Sequence, residues 1–334
     1  MAVRISRIDL ASAALDATAS ALLIDGMYGQ QLPYIQRRID LAPRINNPWE
    51  VGDIFAMAAW TYANIGHHRR ALEYGEEGAF RAADDAEGIR LHNLAWCACA
   101  AFHLGDWDRI VDDLFPRVDA ILRDRDEPPY FVSHLYGAAQ FIFMAREDPR
   151  AQEQAELLEE MGTDHPRASV LIGWLAWIRA RSGDATRSLA LLERVDAIPS
   201  SVFRPHTELM RAGVYSDLEA FDEAPAFLAD ARPYAEKAGL VALPAALDAL
   251  EGRMALAAGD APTAVAALGR ARDRFTELSM PFERARAEVS LAEAMTATDP
   301  QQAVAFLDHA THEAERLGSA FELRRASEIR SRIG

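Results

Sequence analysis

A chain of 334 residues, half of them hydrophobic and only 8% aromatic, carries enough apolar material for a substantial core. Its 35 Lys and Arg stand against 51 Asp and Glu, and the resulting charge of −16 repels phosphate backbones and anionic lipid, which argues against direct nucleic-acid or membrane partners. Ala, Leu, Arg and Glu dominate while strand-favouring residues are sparse, so the chain is expected to be all-α with no sheet.

The N-terminal run "MAVRISRIDLASAALDATASALLID" holds Arg4 and Arg7, but Asp9 and Asp16 interrupt what would be the apolar centre of a secretory signal. It reads as a helix. No uncharged run reaches the ~18 residues needed to cross a bilayer, and a cytoplasmic location is expected. From "ANIGHHRRALEYG" onward the chain repeats a short turn followed by an Ala-containing helix start. These turns fall at Gly66, Gly105, Arg146, Gly183, Glu219, Gly259 and Thr298, between 36 and 41 residues apart. One further pair is expected before them, with its turn near "DGMYGQQ".

Each unit reads as two antiparallel amphipathic helices: Phe282, Ala285, Val289, Ala292 and Met295 share one face, and Ala303, Phe306, Leu307 and Ala310 share another. Such a pair cannot bury its stripe alone, so its neighbours must complete the core. The expected fold is a right-handed superhelical solenoid of about eight helix pairs, with units near 8–46, 50–85, 88–124, 129–163, 166–198, 204–238, 243–279 and 281–330. Gly183 is expected to need a small residue or a positive φ. Asp148-Pro149, Asp299-Pro300 and Pro281 read as helix starts, with Phe282 anchoring its helix against the preceding pair. The polar C-terminal stretch "AFELRRASEIRSRIG" reads as a cap.

The Gly66 unit carries Phe55, Ala59, Tyr62, Gly66, Ala71 and Gly78 in an order that resembles the tetratricopeptide repeat, although the units are longer than that family's 34 residues and most lack its Trp and closing Pro. "PFERARAEVSLAEAM" followed by "AVAFLDHATHEAERLGSAFELRRASE" resembles the C-terminal repeat region of large ATP-binding bacterial transcription regulators. That resemblance implies a bacterial signalling module. No P-loop accompanies it, since Lys237 is the only lysine and has no Gly-rich loop before it.

In the repeat family the inner face of the first helix of each unit lines a groove. Carried over by that resemblance, the groove residues are Trp60, His92, Cys99, Phe102, Tyr136, Gln140, Phe143, Trp177 and His206, with Ala249, Arg253, Leu256, Glu288 and Ala292 in later units. All six tryptophans precede residue 180, so a ligand groove is expected over roughly residues 52–217, holding a protein segment, peptide or small effector. The competing reading of the same aromatics is that they fill the core.

Chemical motifs are thin. Cys97 and Cys99, two residues apart on a helix, diverge by roughly 200° and are expected to be inert thiols sharing neither a disulfide nor a metal. His309 and His312 have chelating spacing, but Arg316 stands where the second His of H-E-x-x-H belongs. His67 and His68 read as a solvated turn. With no nucleophile-base motif, cofactor loop or metal set, a non-catalytic binding module is expected. An assembly scaffold docking partners through its outer or terminal surfaces is the alternative, and a helical-repeat enzyme the third reading.

Overall fold

The computed structural model describes residues 7–82, 86–123, 129–152, 155, 158, 169–198 and 202–333, and among these every regular element is a helix. The first pairs are α1 (Ile8–Ile24) with α2 (Tyr28–Ile39) and α3 (Pro48–Ile65) with α4 (His68–Arg81). Next come α5 (Glu87–His103) with α6 (107–122), then α7 (Ser133–Ala145); most of the stretch where the sequence predicts its partner lies outside the described residues. Four further pairs follow: α8 (Ser169–Arg181) with α9 (Ala185–Asp196), α10 (Arg204–Leu218) with α11 (Ala224–Ala238), α12 (Ala242–Ala257) with α13 (Ala261–Glu277), and α14 (Pro281–Met295) with α15 (Pro300–Leu317). A single helix, α16 (Ala320–Ile333), follows them.

The two helices of a pair bury themselves differently. In α3 every residue from Ile54 to Ile65 is buried, whereas α4 buries only His68, Ala71, Gly75 and Gly78. A helix apolar all round belongs between two layers; one with a single small-residue stripe lies on the outside. From α3 onward the first helix of a pair thus forms an inner wall and the second an outer one, whereas α1 buries only Ala11, Ser12, Ala19 and Leu23.

The turns follow from local chemistry. Gly66, Gly105, Gly183 and Gly259 all adopt positive φ, as the end of a tight helix demands. Asp184, Asp260 and Asp299 then cap the next helix, accepting from the backbone N–H of Arg187, Thr263 and Gln302 at 3.0–3.1 Å. Within α6, the segment Ile110–Leu114 widens into a π-helix just ahead of Pro116, which has no N–H to offer the carbonyl of Asp112.

The superhelix closes on itself. The Val241 N–H donates to the Ile65 carbonyl at 2.8 Å, and Gly66 packs against Ala242. Gly29 meets Gly239, and Gly105 meets Pro281. Pairs one, two and three therefore touch pairs six, seven and eight, so one superhelical turn takes about five pairs. Phe282 makes that closure. Its ring enters an aromatic cluster one turn away, 5.1 Å from Trp107 and 5.6 Å from Phe141 between ring centroids, a contact its position in the sequence did not suggest. Likewise α16 is more than a terminal cap, because its Glu322 is buried against Arg181 of α8.

Candidate functional site

The inner wall does not surround an open channel in the first half of the chain. Trp60 is buried, stacked between Trp96 and Phe203 at 5.5 Å from each. His92 lies partly buried against Phe131, and burial pulls its pKa down to about 4. Phe102 is enclosed by Trp107, Phe141 and Trp174, and His206 is buried beside Cys99.

Tyr136, Gln140 and Phe143 turn toward outer elements. Tyr136 reaches Asp119 of α6, Gln140 donates to the Ala151 carbonyl, and the buried ring of Phe143 packs on Phe115 with the Arg150 guanidinium over it. Trp60, His92 and His206 are brought together around Trp96, Phe102 and Trp177 around Trp174, and Tyr136 and Phe143 form a third group on Phe115, with Gln140 between them on α7. Sequence gave no signal for this separation. One residue of register decides whether a position on an all-apolar helix faces inward, and the tightness of the superhelix decides whether inward means a groove or a core.

One histidine reading also changes. His68 is buried, not solvated: its ring stacks on His103 at 4.3 Å, and burial drives its pKa well below the ordinary value. His309 bonds to Glu288 and Arg284, while His312 is exposed.

The inner face opens further along, between α10, α12 and α14. There a small pocket of about 50 Å³, open on one side to solvent, has an apolar floor that includes Ala212, Ala249, Leu250 and Ala287, with Trp177 at one edge. Of the nine first-half residues only Trp177 lines it; of the later positions Ala249 and Arg253 do. Small side chains make the room: Gly213 sits where a Cβ would come within 2.8 Å of the Trp177 indole. The indole itself is fixed by its Nε1–H, which donates to Asp217 at 2.8 Å.

Three guanidiniums stand around this floor. Arg253 donates to Glu219 at 2.9 Å while its Nε is buried without a partner. Arg286 pairs with Asp217 and Glu322, and Arg325 donates to Ser290 and Glu293 at 3.1 and 3.2 Å. Glu283 adds an acceptor: one carboxylate oxygen meets His103 Nδ1 at 2.7 Å, and the other is buried with no hydrogen bond among the described residues. Arg286 and Arg325 lay inside a recognised helix pattern but carried no motif, so nothing in the sequence marked them. The pocket thus offers an apolar surface, cationic donors and one free acceptor, a set suited to binding and orienting a ligand.

Neither a protein-family profile nor a curated relative matches the sequence. Among solved structures the chain is similar to a Rap protein complexed with competence and sporulation factor, with a TM-score of 0.55 and 14% sequence identity, over 83% of this chain and 80% of that one. The fold is accordingly that of a helical-repeat solenoid of the tetratricopeptide-like kind. Among the described residues no helix is long and apolar enough to cross a membrane.

Proposed function

We propose that the chain is a non-catalytic regulatory repeat module that binds a short peptide carrying a carboxylate and an apolar side chain in the pocket between α10, α12 and α14. The observation that carries this reading is the composition of that pocket: an apolar floor beside Trp177, ringed by Arg253, Arg286 and Arg325, with the free Glu283 oxygen on the same wall. A peptide supplies both complements, since its carboxylate pairs with guanidinium and its backbone N–H donates to a carboxylate oxygen. Similarity to a Rap protein complexed with competence and sporulation factor supports a repeat array of this build as a host for a bound factor. On the same reading the chain serves bacterial signalling in the cytoplasm, as the resemblance to the repeat region of large ATP-binding regulators implies.

Ala249 is partly exposed on the pocket floor, so Ala249→Trp fills the space without disturbing buried packing. Immobilised wild type and Ala249→Trp are each offered a random short-peptide library, and bound peptides are eluted and sequenced. Enrichment by the wild type of a motif with an acidic or free C-terminal carboxylate beside an apolar residue, lost in the variant, is the expected result. Equal enrichment by both proteins, or none by either, would overturn the assignment.

A further inference from the structure

Deep in the inner wall, away from the peptide pocket, three helices bring together Cys99 of α5, His134 of α7 and His206 of α10. All three are buried, and one ligand-type atom from each lies within 4.8 Å of the others. Cys99 Sγ stands 3.9 Å from His206 Nδ1, and the two imidazole rings are 4.6 Å apart between centroids. Among the described residues, neither ring nitrogen of His134 has a hydrogen-bond partner, nor does Nε2 of His206. Leaving a buried donor or acceptor unmade costs about 1–3 kcal/mol each. A fold that keeps three such atoms beside a thiol holds a strong set of unused ligands, and we propose that Cys99, His134 and His206 bind a single soft, monovalent d¹⁰ metal ion, copper(I).

Donor chemistry and charge both favour that ion. Thiolate and imidazole are ligands for soft and borderline metals, and copper(I) accepts three of them. In a trigonal site with metal-ligand distances of roughly 2.0–2.3 Å, ligand atoms lie about 3.5 Å apart. The three donors therefore need to draw together by at most about 1.3 Å, within reach of side-chain rotation. Binding replaces the Cys99 S–H bond with an S–Cu bond and releases the proton to solvent, so the thiolate-copper unit is neutral.

A zinc ion on the same ligands would leave one positive charge uncompensated. The cluster is walled by Trp96, whose ring lies 4.6 Å from His134 and 5.5 Å from His206, with Trp60 stacked beyond it. An unpaired charge in such surroundings is costly, and zinc also seeks a fourth ligand. Cys97 does not take part. It points to the opposite side of α5, where its Sγ faces Gly75 of α4. The divergence of the two cysteines around the helix, which forbids a site shared between them, thus leaves Cys99 free to join histidines from other helices.

The test is anaerobic titration of the purified full chain with copper(I) in competition with a chromogenic chelator, and separately with zinc. One equivalent of copper(I) bound by wild type and by Cys97→Ser, with affinity reduced more than about 100-fold in Cys99→Ser and His206→Gln, is the expected result. Such a loss exceeds what removing a mere supporting group costs. Because the ligand variants can fail to fold, X-ray absorption of the wild-type complex gives a second reading that needs no substitution: one sulfur and two nitrogen neighbours at the metal. Retention of copper by a folded Cys99→Ser protein, binding of zinc alone, binding of neither ion, or an absorption spectrum without a sulfur neighbour would each overturn the proposal.

Discussion

Gly137 lies on α7 against the buried indole of Trp174, and a Cβ added there would come within 2.3 Å of the Trp174 Cγ. Gly183, by contrast, has φ +83° and no atom within 4 Å of an added Cβ. The two glycines test different physics. Gly137→Ala must displace a tryptophan that is 1% exposed, and such overpacking costs about 1–3 kcal/mol. Gly183→Ala pays only for holding an alanine in the left-handed region, about 1 kcal/mol. Urea unfolding should give a lower midpoint for both, with the larger drop at position 137. The Gly183 turn was legible because a glycine followed by Asp and a helix start has few other uses. Gly137 was not, because a glycine inside an apolar helical run declares only that something comes close, and the approaching Trp174 belongs to the next pair.

At the scale of elements, four helices are tied by one buried charge network. Arg181 of α8, 1% exposed at its side chain, pairs with Glu322 of α16 at 2.7 Å and Asp217 of α10 at 3.5 Å, and Arg286 of α14 pairs with both acids. Burial works to raise the Asp217 pKa, but the guanidiniums of Arg286 and Arg181 and the Trp177 N–H outweigh it and hold the carboxyl below its usual 3.8. A depressed carboxylate pKa adds stability that is fully present above the unfolded value and is lost as pH falls through the folded value. Asp217→Asn leaves two buried cations short of a partner, and breaking such a network costs about 3–5 kcal/mol. Chemical unfolding at pH 7 should therefore show a large deficit in the variant, and the gap should narrow below pH 3.8 as the wild-type carboxyl takes up its proton. A constant gap across that range would show that Asp217 acts by shape alone. The helices bearing these residues could be read from periodicity; their pairing could not, since Arg181 and Glu322 are 141 residues apart and sequence spacing reports only contacts within a helix or between neighbours.

For the whole molecule, the decisive property is that the superhelix closes within about five pairs. An open solenoid couples only adjacent repeats, and its halves can melt separately. Here Phe282, 1% exposed, carries the last full pair into the cluster of Phe102, Trp107, Phe141 and Trp177. Closure also explains why the first-half aromatics are core: the turns that bring α12 onto Gly66 and α14 onto Gly105 fill the inside with rings, and the inner-face pocket lies farther along, where Ala249 and Gly213 line the wall. Superhelical pitch is a sum of small rotations between pairs, which no single repeat encodes, so the solenoid could be inferred from the sequence but not the place of its pocket. All six tryptophans lie before residue 180, which makes their emission a report on the helices up to α8 and on what packs against them. Phe282→Ala, in the second half, should cost about 3–5 kcal/mol by leaving a cavity in a packed aromatic site. Its denaturation followed by tryptophan emission should shift to the same lower midpoint as its denaturation followed by circular dichroism, because the halves share one core. A tryptophan transition left at the wild-type midpoint while part of the helical signal melts early would mean that the two turns are uncoupled and that the array behaves as an open one.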